Sequence, residues 1–262
     1  MKKLAFLILI VPLIFCTPLK AHELKKSFEE GLAAYQKQNF KKALSAFQAV
    51  IEKDPYNYVA LYNLGLTQYQ LKQEGIALAN WRRAIGISPL FIPARKALEH
   101  VLKTKEVFPP LSNSLWEMLH LSFFIYFPLD FFWGGLLVAL LLSLWMLIKF
   151  LGKKKKHLKD NLPPPSFPVS VTISLCVTVV FLLAFGFKIW DLAHPRGTIT
   201  AKQVALHSAP DKQSSTLIEV SLGQEVFVEK QSGPWRQVLV SSGISGWIPS
   251  SSVTLTYGFQ LW

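Results

Sequence analysis

Two long apolar runs separated by a short basic stretch constrain this chain more than any other feature. The first, FFWGGLLVALLLSLWMLI, covers Phe131 to Ile148, and the second, VSVTISLCVTVVFLLAFGF, covers Val169 to Phe187. Each approaches the ~20 apolar residues with which a helix crosses ~30 Å of hydrocarbon. Six lysines fall between Lys149 and Lys159, against one acid, Asp160. No Lys or Arg lies between Lys105 and Lys149, and only Lys188 and Arg196 flank the far end of the second run. The positive-inside rule therefore predicts a helical hairpin, with spans over 129–151 and 169–190 and a cytoplasmic basic loop over 152–168. Both flanking parts of the chain then lie on the opposite side.

The charge balance agrees with that layout. Of the net +12 in 262 residues, the lysine loop supplies +5 and the first twenty residues three lysines. Residues 22–118 carry thirteen basic and nine acidic side chains, and the chain from Arg196 onward carries five and four. Most of the excess does topological work, which leaves no dense basic patch for nucleic acid. Cys16 lies in the leader and Cys176 in the second apolar run, so no disulfide framework is expected. The start, MKKLAFLILIVPLIFCTPLKA, has the basic, apolar and small-residue pattern of a secretory signal peptide over 1–21, with an uncleaved anchor as the alternative. Either form exports the segment after it, in agreement with the lysine loop.

A shift of 34 superimposes Gly31 on Gly65, Tyr35 on Tyr69, Ala43 on Ala77, Phe47 on Trp81 and Pro55 on Pro89. That period is the pitch of tetratricopeptide helix pairs. Leu61, Leu64, Gly65, Ala77, Trp81, Ala84 and Pro89 resemble the tetratricopeptide signature, with a partial copy in Gly31, Ala43, Phe47 and Pro55. Helices are expected at about 24–37, 41–53, 58–71 and 75–87, with a solvating end helix from about Pro93 to Lys103, inside a domain spanning 22–110. Gly65 and Ala77 should admit close helix approach, and Phe47 and Trp81 should fill the space between neighbouring pairs. The resemblance implies a concave groove lined by Phe28, Leu32 and Tyr35 from the first unit and Tyr62, Leu66 and Tyr69 from the second. That face is apolar and aromatic, and lacks the Lys and Asn with which similar repeats clamp a C-terminal carboxylate. It either binds a protein segment or packs upon itself. Two units are fewer than the ~3 expected for a stable solenoid, so further packing is required.

Between Pro109-Pro110 and Pro128, the aromatic segment 111–128 reads as an interfacial juxtamembrane helix, with one long tilted span as the alternative. Asp130 falls at the outer boundary of the first span. From about 196 to 256 the texture becomes short alternating strands broken by Gly, Pro and Ser, which suggests a small closed all-β barrel. VALHSAP (Val204 to Pro210), Leu222-Gly223, EVFVEK, GPWRQV and SGWIPSSSV resemble bacterial SH3-like domains in order and spacing. Trp235 and Trp247 form either an aromatic ligand ledge or core packing.

The six histidines are scattered without metal-ligand spacing, and no phosphate loop or nucleophile elbow is present. No catalytic, cofactor-binding or metal site is expected, and the chain reads as a non-enzyme. The expected fold class is a multi-domain membrane protein, with all-α repeats, a two-helix transmembrane hairpin and an all-β SH3-like small barrel.

In that order these parts look like BatE-type proteins of the Bacteroides aerotolerance operon. The resemblance implies genetic association with von Willebrand A-domain Bat membrane proteins, as candidate partners, and with a MoxR-type ATPase, within an envelope or stress-linked complex, and no catalytic activity. The leading expectation is a scaffold whose periplasmic repeats bind a protein partner. The alternative is an envelope sensor or peptidoglycan-binding protein that recruits a wall enzyme, and a third reading is a structural anchor with no separable ligand.

Overall fold

A computed structural model describes residues 18–104 and 123–258. Residues 1–17 of the expected leader and most of the expected interfacial helix 111–128 lie outside the described residues. Among the described residues, seven α-helices are followed by one seven-stranded antiparallel sheet.

Five helices form the first part: α1 (Pro18–Gln36), α2 (Phe40–Lys53), α3 (Tyr58–Gln70), α4 (Glu74–Ile87) and α5 (Ile92–Thr104). The 34-residue period is written into the backbone as well as the side chains. Gln38 and Lys72, one period apart, both adopt positive φ (58° and 64°) just past a helix end. The following N–H groups of Asn39 and Gln73 donate to the carbonyls of Ala34 and Gln68, at 2.9 Å each. These are the same helix-ending motif twice, closing carbonyls that the helix leaves unpaired. α2 and α3 open with side-chain caps, the Lys42 N–H donating to Asn39 Oδ1 and the Ala60 N–H to Asn57 Oδ1. α5 starts at Ile92, one period after Tyr58, so it occupies the place of the first helix of a third pair.

Each pair closes around one ring. Phe47 lies on Gly31, and Trp81 lies on Gly65, where a Cβ would come within 2.7 and 2.5 Å of the ring atoms. Both rings therefore fill the inside of their own pair rather than only the gap between pairs. Phe47 also packs with Leu64 of the next unit, which joins the two. Ala43 and Ala77 are fully buried where the helices cross.

α6 (Leu129–Lys159, 31 residues) and α7 (Val169–Ala193, 25 residues) are both long and apolar enough to cross a membrane. At 1.5 Å per residue they reach about 46 and 37 Å, beyond the ~30 Å of hydrocarbon. α6 continues eight residues past the expected end at 151, so the lysines stand on helix and the return shrinks to a short proline-rich segment. The hairpin is held by Phe181, which fits over Gly135, and by a 2.9 Å hydrogen bond between the Ser143 and Thr178 hydroxyls. His157 Nδ1 lies 3.0 Å from the Pro163 carbonyl oxygen, which ties the return to the end of α6. Asp130 is exposed in the first turn of α6.

Two residues after α7 the sheet begins with β1 (Arg196–Ile199), followed by β2 (Gln203–His207), β3 (Thr216–Ser221) and β4 (Glu225–Ser232). β5 (Trp235–Val240), β6 (Ser245–Pro249) and β7 (Val253–Tyr257) complete it. The strand order is β3-β2-β6-β5-β4-β1-β7, and the core gathers Ile199, Leu206, Val220, Val226, Val238, Ile248 and Val253. The expected closed barrel is corrected here, because β3 and β7 are separate edges and do not pair. β3 is largely exposed, while β7 packs against α4 instead.

That packing joins the helical part to the sheet. Arg82 Nη1 donates to Thr198 Oγ1 at 2.7 Å, and Gly75 lies against the backbone of Thr200 so closely that a Cβ would overlap it. Gly86 approaches Tyr257 in the same interface. Gly75→Ala is expected to loosen the docking by about 1–3 kcal/mol, since backbone rather than a flexible side chain must yield. Hydrogen exchange on the full chain in detergent should then rise in β1 and β7 while α1 and α2 stay protected. Unchanged exchange in both strands would show that the contact carries no energy.

Candidate functional site

The six groove residues lie on α1 and α3, and all are partly buried. Phe28, Leu32 and Tyr35 pack on the cluster around Phe47, and Tyr62, Leu66 and Tyr69 on the cluster around Trp81. Their rings have neighbours: Phe28 meets Phe47 edge-on at 5.7 Å, Tyr35 meets Phe40 at 5.4 Å, and Tyr62 meets Phe91 at 5.5 Å. Tyr69 leans on Trp81, whose indole N–H donates to the Tyr62 carbonyl at 3.2 Å. Burial raises the Tyr62 hydroxyl above its ordinary value, and Tyr35 of the other unit adds to the effect. The two trios thus form adjoining aromatic stretches that are partly packed and partly open. The sheet docks on α4, away from the helices that carry them.

The register of the sheet places the two tryptophans. Trp235 is opposite Pro249, Gln237 is opposite Trp247, and Trp247 is opposite His207. Since alternate residues share a face, Trp235, Trp247 and His207 lie on the side opposite Val238, Ile248 and Leu206. Neither tryptophan belongs to the main core cluster. Trp235 is 8% exposed, with the His207 ring edge-on to it at 5.4 Å, and Trp247 is more open. The fold puts both tryptophans on one face, Trp235 buried and Trp247 half-buried, and adds His207, whose Nδ1 is held 3.2 Å from the Ser214 carbonyl oxygen.

A third arrangement has no counterpart in the sequence reading. At the sheet end of α7, Lys188, Asp191 and Arg196 are buried to 4%, 3% and 4% exposure. Lys188 Nζ donates to the Phe124 carbonyl at 2.7 Å and to the Tyr257 hydroxyl at 2.8 Å. The Tyr257 hydroxyl in turn donates to Asp191 Oδ2 at 2.9 Å, and Arg196 Nη2 lies 3.6 Å from Asp191 Oδ1. The Arg196 guanidinium also lies over the Phe227 ring at 4.6 Å. Burial, reinforced by Asp191, holds the Tyr257 hydroxyl far above its ordinary value, so it keeps its proton and can act as donor and acceptor together. The Tyr257 hydroxyl thereby ties α7 to the last strand, and the Lys188 ammonium ties the 3-10 turn at Phe124–Tyr126 to both. On the other side of that turn, Arg95 of α5 donates to the Tyr126 hydroxyl at 3.0 Å and covers its ring.

A signal for this node exists in the sequence. Lys188 and Asp191 stand three apart at the end of an apolar helix, one face of which they share. Sequence reasoning uses Lys188 only as a topology marker. Among the described residues, no three His, Cys, Asp or Glu side chains are grouped to hold a metal ion. No family model matches the chain.

Asp191→Asn removes the charge that faces both cations and is expected to cost about 3–5 kcal/mol, as for a broken buried ion pair. Tyr257→Phe removes one hydroxyl from the same node and should cost about 1–3 kcal/mol. Thermal melts of the full chain in detergent rank the two. If Tyr257→Phe proves the more costly, charge is not what holds the junction.

Proposed function

We propose that this chain is a bacterial inner-membrane scaffold, with tetratricopeptide-type repeats and an SH3-like module on the periplasmic side and the lysines in the cytoplasm. The observation that carries the reading is the mount. The helical array is fixed to the membrane hairpin through the sheet and the Lys188–Asp191–Tyr257 node, while α1 and α3 keep an aromatic face that the sheet does not cover. A rigid stand presenting an apolar groove suits capture of a partner helix or an extended peptide. The resemblance to BatE-type proteins makes a Bat complex, including von Willebrand A-domain proteins, the partner set to try first.

A second reading is favoured by one observation, the Trp235–His207–Trp247 face of the sheet. An aromatic ledge of this kind suits a peptidoglycan peptide or sugar, and the chain would then recruit or regulate a wall enzyme. Binding of the full chain to isolated sacculi, abolished by Trp247→Ala, would favour it over the scaffold.

For the scaffold, a photo-crosslinking residue at Leu66 in native membranes should trap a protein partner. Tyr62→Ala with Tyr69→Ala should weaken capture at least about thirtyfold, equivalent to about 2 kcal/mol, as for paired aromatic anchors. Retained binding in a variant whose melt is unchanged would sink the groove.

Topology is checked separately, by reporter fusions after residues 110 and 262. Both should report from outside the cytoplasm, and either one reporting from inside overturns the periplasmic placement.

A further inference from the structure

The lysine end of the hairpin carries a cavity of about 450 Å³ between α6, the proline-rich return and the start of α7. Its walls are graded along α6. Trp145 and Met146 form the end nearer the middle of the hairpin, Lys149 and Phe150 come one turn later, and Lys153 one turn beyond. Ser166 and Ser170 face them from the return and α7. None of the lining residues is acidic. Lys149 is exposed, and its ammonium lies 3.7 Å from the centroid of the Trp145 ring, which holds it beside the apolar end of the cavity. Phe150 and Phe167, edge-on at 5.1 Å, brace the return against α6.

We propose that this cavity is a binding site for the headgroup of an anionic phospholipid. Two ammonium groups and two hydroxyls match a phosphodiester, which needs counter-charge and hydrogen-bond donors. The apolar end beside Trp145, Met146 and Val171 matches the first segment of an acyl chain. The positive end of the α7 dipole adds to the same field. Basic pockets between spanning helices at the cytoplasmic face favour anionic lipid for these reasons. The site rests on the proposed membrane orientation, since it needs the lysines at the leaflet richer in anionic lipid.

The test uses the delipidated full chain in detergent, with phosphatidylglycerol, phosphatidylcholine or sodium phosphate added. Phosphatidylglycerol should raise the melting temperature by several degrees and remain bound in native mass spectra. Lys149→Gln with Lys153→Gln should abolish both effects. Lys154→Gln with Lys155→Gln, which removes equal charge from the same helix outside the cavity, should preserve them. Equal loss in the two double variants would reduce the effect to general charge and overturn the site. An equal shift with phosphatidylcholine, or a full shift with phosphate alone, overturns the lipid assignment. Release of the chain from membranes by alkaline wash would instead defeat the spanning reading, whatever the lipid arms show.

Discussion

The hydroxyl of Tyr257 is the point on which the joined architecture depends. It accepts from Lys188 and donates to Asp191, and so closes a buried network of two cations and one carboxylate. Desolvating such charges costs several kcal/mol per ion, and only good geometry with satisfied hydrogen bonds offsets it. Here the offset comes from groups far apart in the chain: a carbonyl at Phe124, a helix end at 188–191, a strand at 196 and another at 257. If one were displaced, the others would stay buried with a weaker set of partners. The network is therefore better understood as a device that fixes one arrangement than as a source of net stability. Its position, where an apolar helix ends and the sheet begins two residues later, explains why no flexible linker separates α7 from the strands.

That fixed junction answers the shortage of repeat units. Two helix pairs expose the last pair's outer surfaces, and α5 covers only part of them with Ala94 and Val101. The sheet covers another part, through Arg82 on Thr198 and Gly75 on Thr200. Burial pulls the Arg82 guanidinium below its ordinary value while Glu225 partly offsets this, as expected for a cation drawn into an interface beside an acid. Helices, sheet and hairpin thus stabilise one another, and the aromatic side chains on α1 and α3 are held in a set position relative to α6 and α7.

Local signals are the most legible. The helix boundaries of the four repeat helices fall within two residues of the period-based expectation, apart from an earlier start to α1 at Pro18. The packing of ring on glycine is readable because Gly31–Phe47 and Gly65–Trp81 recur at one spacing. Six of the seven strands are recognisable from alternation, but β1 is not: RGTI is only four residues and buried on both faces, so it has no alternating pattern to show. The closed barrel fails for a reason that lies outside the segment, namely that β7 has a helix for a neighbour. Charge alone marks the lysines as a loop, yet Lys is a good helix former and α6 simply continues through them. The buried node joins residues more than sixty positions apart, beyond the reach of any local pattern.

The docking of α4 on the sheet is nevertheless open to a comparison between the repeats themselves. The stripe Gly75, Ala79, Arg82 and Gly86 runs down one side of α4, with spacings of four, three and four. One period earlier, the same stripe on α2 reads Lys41, Ser45, Gln48 and Glu52, all exposed. A solvated helix face has no need of two glycines, which offer no side chain to pack and give up the most backbone entropy on folding. Replacement of a polar stripe by small residues around a single arginine therefore marks a face that another backbone approaches. Repeats that agree report the shared core, and the positions where they disagree report what each unit meets outside it. Here that disagreement points to β1 and β7, the two strands whose residues also complete the charged junction at the end of α7.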